Sequence, residues 1–364
     1  MAKNLNHEVL FMNSSYSFHC PSCGDEMKTD GNILSCPYCG NNEQLSAVNS
    51  DTEELDFNAL ETESVWQEPI TQRCGRCGSE TAYIPGTVPG PCIYCANNNI
   101  SSLDKPYGVR PSMIAPFRLT SGQAAAHLDG WLKKRFLAPF PFKKELSSSS
   151  INGLYLPYWS FGANANAEYA GQAGSYYQDT EIYTSSSGER TQAKNRRVRR
   201  VRWRMVSGCY NKKFSDIIFG DVSHIDAKVI KRIEPFKLSE LVKYDDRYVS
   251  GFAIERYKLG LKASWDRAKA YMGTVLRDDI TAIVKRGSDV TGSVNIATEY
   301  TDISHQLLLF PIWISTYRFR NKAFNVYING QTGEIFGESP VSILKLGIIA
   351  LAAAAAAALL IWLL

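Results

Sequence analysis

Four C-x-x-C knuckles, Cys20/Cys23, Cys36/Cys39, Cys74/Cys77 and Cys92/Cys95, constrain this chain more than any other feature. They fall into two sets, C-x2-C-x12-C-x2-C and C-x2-C-x14-C-x2-C. Four thiolates on two tight turns form a tetrahedral sulfur cage that suits Zn2+. Gly24, Gly40 and Gly78 follow the second cysteine of three knuckles, where the backbone must turn sharply. A cage of four cysteines leaves no open coordination position, so the expectation is two structural zinc ions, one in a ribbon over residues 1–40 and one over 74–104. Each ribbon is too small to bury a core and depends on its ion to fold. His19 beside Cys20 is then a surface or outer-layer histidine. Eight cysteines packed in this pattern point to metal in a reducing compartment rather than to disulfides.

Charge divides the chain unevenly. Residues 1–100 carry 4 Lys and Arg against 13 Asp and Glu, while the whole chain has a formal net charge of +4, so the remainder is strongly basic. Residues 41–73 read as an acidic linker, with Leu55, Phe57, Leu60, Val65 and Trp66 as scattered docking residues. Residues 105–338 read as a mixed domain. A helix is predicted over 120–137, with Thr120 as N-cap, Ala124, Leu128, Trp131, Leu132 and Phe136 on one face and Pro139 as the stop. A second is predicted over 261–286, its apolar stripe formed by Leu261, Trp265, Ala268, Met272, Val275, Leu276, Ile280 and Ile283. Strand-like runs cover 151–161, 200–206, 216–219, 307–319 and 323–328, with NGQTGE (329–334) a turn. LYLPYWSF (154–161) echoes LLFPIWIS (308–315), aligning Pro157 with Pro311 and Trp159 with Trp313. Proline belongs at strand edges or bulges, so both segments read as edge strands from a duplicated half-domain. The expected fold class is α+β: two N-terminal zinc ribbons, a mixed domain with antiparallel strands and two main helices, and one C-terminal transmembrane helix.

That last element rests on residues 346–364, an uncharged run of 19 residues whose helix would cover the roughly 30 Å hydrocarbon core. Ser339 and Pro340 supply a cap and first turn, with Lys345 and Trp362 at the two membrane interfaces. The run reads as a tail anchor over 339–364. It places the protein at the cytoplasmic membrane, single-pass, with its body in the cytosol and the bilayer as a partner.

RTQAKNRRVRRVRWRM (190–205) is the densest charge, with eight Lys and Arg. Val201, Trp203 and Met205 alternate with Arg200, Arg202 and Arg204, the period of a strand with one buried face. Arg196, Arg197, Arg199, Arg200, Arg202, Trp203 and Arg204 are candidate contacts for lipid, an acidic partner or nucleic acid. The surroundings of the knuckles are acidic, the wrong sign for gripping phosphate. Walker A, H-E-x-x-H and G-x-S-x-G motifs are absent from the sequence, so catalytic residues are assigned to none. Ser342 and Lys345 form an S-x-x-K by chance, and Cys209 reads as a small buried side chain.

The double ribbons around LDFNAL, followed by PSMIAPFRLT, WLKKRFLAP, GLYLPYWSFGANANAEYAGQAGSYY and LLFPIWISTYRFRNKAFNVYINGQTGEIFGESPVSILK, resemble the bacterial TFIIB-type zinc-ribbon proteins, with the blocks in the same order along nearly the whole chain. Members are often labelled primosomal or helicase-like, a label unsupported here by any ATP-binding motif. The resemblance implies a membrane adaptor associated with stomatin/flotillin-like or phage-shock-like proteins in envelope stress. Only the eight cysteines carry over as functional residues. Ala163 departs from the acidic residue expected after the aromatic. The sequence therefore reads as a non-enzymatic tail-anchored adaptor whose ribbons dock a protein partner, with homo-oligomerisation through the anchor as an added feature; the alternative is a nucleic-acid-binding protein using 190–205.

Overall fold

The computed structural model describes residues 18–45, 55–56, 66, 69–85, 87, 90–103, 107–147, 150–187, 190–319 and 322–363; side chains are not described for 183–194, 319, 357–361 or 363. The first ribbon contributes β1 (Lys28–Asp30), β2 (Ile33–Ser35) and β3 (Asn42–Gln44), which form a three-stranded sheet. β4 (Leu55–Asp56) follows, then the second ribbon with β5 (Ile70–Cys74), β6 (Glu80–Tyr83) and β7 (Ile100–Leu103). The body holds β8 (Met113–Ile114), α1 (Ser121–Lys134), α2 (Phe140–Ser147), β9 (Ile151–Ser187), β10 (Arg190–Gly220), α3 (Ala227–Ile233), β11 (Val242–Lys243), β12 (Ala253–Glu255), α4 (Leu261–Lys285), β13 (Val290–Phe319), β14 (Lys322–Asn329), β15 (Ile335–Gly337) and α5 (Ile343–Leu363).

β9 and β13 pair antiparallel over residues 151–174 and 290–315, and Leu156 lies opposite Phe310. Around that pair the molecule repeats itself. β12 runs parallel to β9 at Leu154 and Tyr155, just as β8 runs parallel to β13 at Leu308 and Leu309. Beyond, β9 takes β10 as its neighbour from Tyr158 onward, and β13 takes β14 from Ile312 onward. Pro157 and Pro311 occupy the gap where one neighbour ends and the next begins, so neither strand loses a ladder bond to the missing N–H. Their carbonyls still work, accepting from Asp221 N–H at 3.1 Å and Gly330 N–H at 2.9 Å. The echoed segments are therefore central, paired with each other, and not the edge strands their prolines implied. Each half is a short strand, a helix and a long hairpin: β8–α1–β9–β10 and β12–α4–β13–β14, with each short strand exchanged onto the other half.

Both faces of this central sheet are covered, which explains the nearly unbroken apolar runs. On one face Tyr155, Trp159, Phe161, Leu309 and Trp313 pack with α1 and α4. On the other, Leu154, Leu156, Tyr158, Leu308, Phe310 and Ile312 meet the second ribbon and α3. α1 begins at Thr120 with a capping box closed by Gln123, as its sequence requires, but stops at Lys134 and leaves Phe136 exposed. α4 buries Trp265, Ala268, Met272, Leu276, Ile280 and Val284. It lies on Ala163, Ala165, Ala167, Gly171 and Ala173 of β9, whose small side chains let the helix approach; a Cβ at Gly171 would stand 3.0 Å from Val284. Ala163 is 3% exposed, so an acidic side chain has no room there.

Both ribbons are fastened to the body. β6 pairs with β12, extending the main sheet into the second ribbon. The Tyr94 hydroxyl and the Ser223 N–H and hydroxyl donate to the fully buried Glu255 carboxylate at 2.7, 3.0 and 3.2 Å. That carboxylate, with burial, holds the Tyr94 phenol well above its ordinary pKa. In the first ribbon Thr29 donates to the Arg247 carbonyl at 2.7 Å, and Asp30 accepts from the Ser121 N–H and hydroxyl at the start of α1. The linker docks through β4, which pairs with β13, and through Trp66, which is buried edge-on against Tyr107 and Tyr244. Phe57, Leu60 and Val65 lie outside the described residues.

Two expectations are corrected. The sheet is mixed rather than antiparallel, because the exchanged short strands pair in parallel, and five α-helices accompany it among the described residues, giving a mixed α/β fold. The C-terminal transmembrane helix and the single-pass placement at the cytoplasmic membrane also fail: among the described residues no helix is long and apolar enough to cross a membrane. Six of the fourteen residues from Ile343 to Ala356 are alanines, whose side chains are only weakly apolar. Lys345, expected at a headgroup interface, instead donates to the carbonyls of Phe136 and Ala138 at 2.9 and 2.7 Å, closing the turn after α1, while Trp362 is exposed.

The contact between Asp30 and α1 combines two hydrogen bonds to a carboxylate with a helix N-terminus. Asp30→Ala is expected to destabilise the protein by about 1–2 kcal/mol, read as a lowered midpoint in thermal or urea unfolding.

Candidate functional site

The four knuckles bring their sulfurs together in two clusters, Cys20, Cys23, Cys36 and Cys39, and Cys74, Cys77, Cys92 and Cys95, each with all ligand atoms within 4.8 Å of one another. Opposed sulfurs lie 3.4 and 3.5 Å apart in the first, and 3.6 Å apart for both pairs in the second. A regular tetrahedron with Zn–S bonds of about 2.3 Å has edges of about 3.8 Å, so both cages are the right size for Zn2+, and all eight thiols are free of disulfides. Each knuckle closes on itself, with the N–H after the second cysteine donating to the carbonyl of the first, as from Gly24 to Cys20 at 2.8 Å. The turn places that residue at positive φ: Gly24 at 78°, Gly40 at 73°, Gly78 at 76° and, in the fourth knuckle, Ala96 at 51°. The fourth knuckle thus uses a conformation that costs an L-residue about 1–2 kcal/mol.

The cages favour an ion electrostatically. Burial opposes the Cys20 thiolate, but the N–H groups of Ser22 and Cys23 and the side chains of Cys39 and Asn41 outweigh it and pull the thiol down to about 6. Cys74 is drawn down to about 7 against burial by the N–H groups of Cys77 and Arg76 and by Cys95. Cys23 moves the other way, to about 12: the Asp25 N–H favours its thiolate, and burial with the three neighbouring sulfurs overrides it. Burial and the sulfurs of Cys74 and Cys92 likewise push Cys95 up. Cys20 and Cys74 are favoured as thiolates while Cys23 and Cys95 are disfavoured, and a dication between the sulfurs would offset that disfavour. Ser79 adds a hydroxyl 3.3 Å from the sulfurs of both Cys77 and Cys92.

The arginine row forms the other concentration of chemistry. β10 pairs with β9 as far as Arg190 opposite Ser187, whereas β13 begins opposite Gly174. Residues 175–187 and 190–202 therefore continue as a two-stranded arm of roughly 40 Å beyond the end of the three-stranded sheet. The alternation of Val201, Trp203 and Met205 with arginines is real, but its apolar side is not buried: Trp203 is 47% and Met205 67% exposed. Arg200 pairs with Asp179 at 2.9 Å and with Glu181 at 2.5 Å, and Arg196 stands 3.8 Å from Glu181. Arg199 and Arg202 lie over the rings of Tyr176 and Tyr177 at 4.2 and 5.2 Å. Arg204 reaches back to the Arg286 carbonyl and Ser288 at the end of α4, while Arg197 is exposed. Tyr176 and Tyr177 joined the site only through strand pairing, which no local pattern announced. Cys209, read as buried, is exposed on β10.

Two of the cavities border titratable side chains of interest. One of about 540 Å3 lies between the ribbons and is lined by Thr29, Asp30, Cys92, Ile93, Ala96 and Trp313; its single carboxylate, Asp30, is already bound to Ser121. Another of about 500 Å3 is bordered by Asp221, Glu234, Lys231, Lys258 and Arg267. Burial raises the Asp221 carboxyl, which accepts the Leu259 N–H at 2.7 Å. In the other half of the fold the Gly330 carbonyl performs that duty for the N–H groups of Arg118 and Leu119, so Asp221 serves the architecture.

No family model matches the chain, and no solved structure matches it. Over 334 residues, 90% of this chain and 90% of the relative, it is 23% identical to a Bacillus subtilis (strain 168) protein described as uncharacterized protein YdjG.

Ala96→Gly is expected to stabilise the second ribbon by about 1 kcal/mol, seen as slower zinc loss to a competing chelator. Zinc should be released as pH falls, because protons compete with the ion for the thiolates, with two ions per chain at neutral pH counted by a colorimetric chelator.

Proposed function

We propose that the protein is a non-enzymatic scaffold that holds a protein partner with an acidic surface, using two zinc-stapled ribbons for rigidity and the arginine arm for contact. The arm carries the reading. It leaves the body with neither face covered by the described residues, presents arginines on either face, and interleaves them with exposed aromatic rings, the composition of a binding surface. The ribbons, expected as docking modules, spend β6, Thr29, Asp30 and Tyr94 on the body. Closed cysteine cages support a structural role for the metal. The resemblance to TFIIB-type zinc-ribbon proteins supports a stomatin/flotillin-like partner.

Exposed Trp203, Tyr176 and Tyr177 beside arginine also favour a second reading, nucleic acid held by phosphate contacts and base stacking. The combined variant Arg197→Glu, Arg199→Glu and Arg202→Glu separates the two. Under the scaffold reading, affinity capture with nuclease treatment recovers a partner with the wild type and at least about tenfold less with the variant, zinc content unchanged. A wild-type complex that collapses on nuclease treatment, or direct binding to single-stranded DNA or RNA whose log affinity falls linearly with log salt, moves the assignment to nucleic acid. Equal recovery by wild type and variant sinks both.

A further inference from the structure

Among the described residues β10 pairs with β9 alone, so its outer edge runs unpaired for its whole length. Proteins guard such edges with charge, proline or bulges. Here the guards stand at the two ends. Arginines from 196 to 204 protect the arm, and a bulge between Phe214 and Ile217, with Asp216 at φ 53°, breaks the far end. Between them residues 205–211, MVSGCYN, carry no charge. The next cation, Lys212, is turned away from guarding the edge by its 2.7 Å ion pair with Asp279 on α4. What remains is an unguarded strand edge long enough to template pairing.

The charges also say which partner fits. If two copies of β10 meet antiparallel about a two-fold axis normal to the sheet, each residue meets one on the same face, because side chains alternate with period two. An axis at any residue from 202 to 208 sets an arginine of 196–204 opposite Lys212, Lys213 or another arginine. An axis at Cys209 is the first that avoids every such conflict, and it keeps the longest overlap of those that do. It sets Arg204 opposite Phe214, Met205 opposite Lys213, Val206 opposite Lys212 and Cys209 opposite itself. α4 then covers the same face in both copies, and the open polar faces of the two sheets become continuous. We propose that residues 204–214 of β10 pair antiparallel with the same residues of a second copy, forming a dimer with Cys209 on its axis.

Position 209 makes the idea testable without disturbing the fold, since its side chain is exposed. Residues directly opposite in an antiparallel pair have Cα atoms about 4.5–5.5 Å apart, within reach of a disulfide or a short bismaleimide. The zinc-loaded full-length chain should sediment as a dimer at micromolar concentration, and a short bismaleimide should give a covalent dimer mapped to Cys209–Cys209 and abolished by Cys209→Ser. Cys209→Lys and Cys209→Glu should each weaken dimerisation about tenfold, and mixing the two should restore it as a heterodimer, a rescue that no folding defect mimics. A monomeric wild type overturns the proposal and leaves the edge to a strand from a different protein. A dimer indifferent to both charge variants, or cross-linked elsewhere, overturns it as well.

Discussion

The antiparallel pairing of β9 and β13 about Leu156 and Phe310 is the contact on which the remaining architecture depends. Each strand supports its own hairpin partner and receives the short strand of the other half, so neither half closes its sheet alone. The second ribbon enters through this exchange, because β6 pairs with β12, and β12 lies on β9. The cysteine cage at Cys74, Cys77, Cys92 and Cys95 is thereby tied to the centre of the body by backbone hydrogen bonds and by the Tyr94–Glu255 bond. A buried carboxylate such as Glu255 is tolerable only when its donors are supplied, and they come from two separate segments, at Tyr94 and Ser223. That requirement fixes the ribbon, the loop at Ser223 and β12 in one arrangement.

Much of this was legible in local chemistry, and the failures share one cause. The knuckles, the capping box at Thr120 and the stripe of α4 depend on residues a few positions apart, and each stands where its pattern placed it, apart from small shifts such as Val284 in place of Ile283. Pro157 and Pro311 were misread because a proline inside a strand argues locally for an edge; only the change of neighbour on one side makes it harmless in the centre. The length of β9 was hidden for a related reason. GANANAEYAGQAG lacks the bulky β-formers that mark a strand, since α4 presses on its alanines and glycines. Val201, Trp203 and Met205 show the true period of a strand but not its burial, because periodicity reports which residues share a face and not whether anything covers it. Lys345 looked like a headgroup contact until Phe136 and Ala138, distant in sequence, supplied the acceptors.

The division of charge along the chain acquires a structural meaning. The acidic first hundred residues include both cages and the segments that grip the body, while the arginines are concentrated on an arm that leaves it. Net charges of opposite sign within one chain keep the arm from being drawn down only if its own geometry holds it out. A two-stranded ribbon of that length is marginal alone, but this one is the continuation of a three-stranded sheet braced by α4. Arg204, hydrogen-bonded to the carbonyl at the end of that helix, marks the point where bracing stops.

Beyond that point the arginines are only partly satisfied. Arg200 holds two acidic side chains and Arg196 shares one of them, but these are exposed ion pairs, each worth about 1 kcal/mol or less, so they orient the guanidinium groups without consuming them. The tyrosine rings beneath Arg199 and Arg202 do the same through their faces, at distances where the attraction is modest in water and grows when a partner excludes it. Under the scaffold proposal, Arg196, Arg199, Arg200 and Arg202 meet an anionic surface already oriented, and the weak internal pairs exchange readily for stronger ones. Under the same proposal, rigidity from the central sheet and α4 gives the arginines of 196–204 a defined orientation toward such a partner.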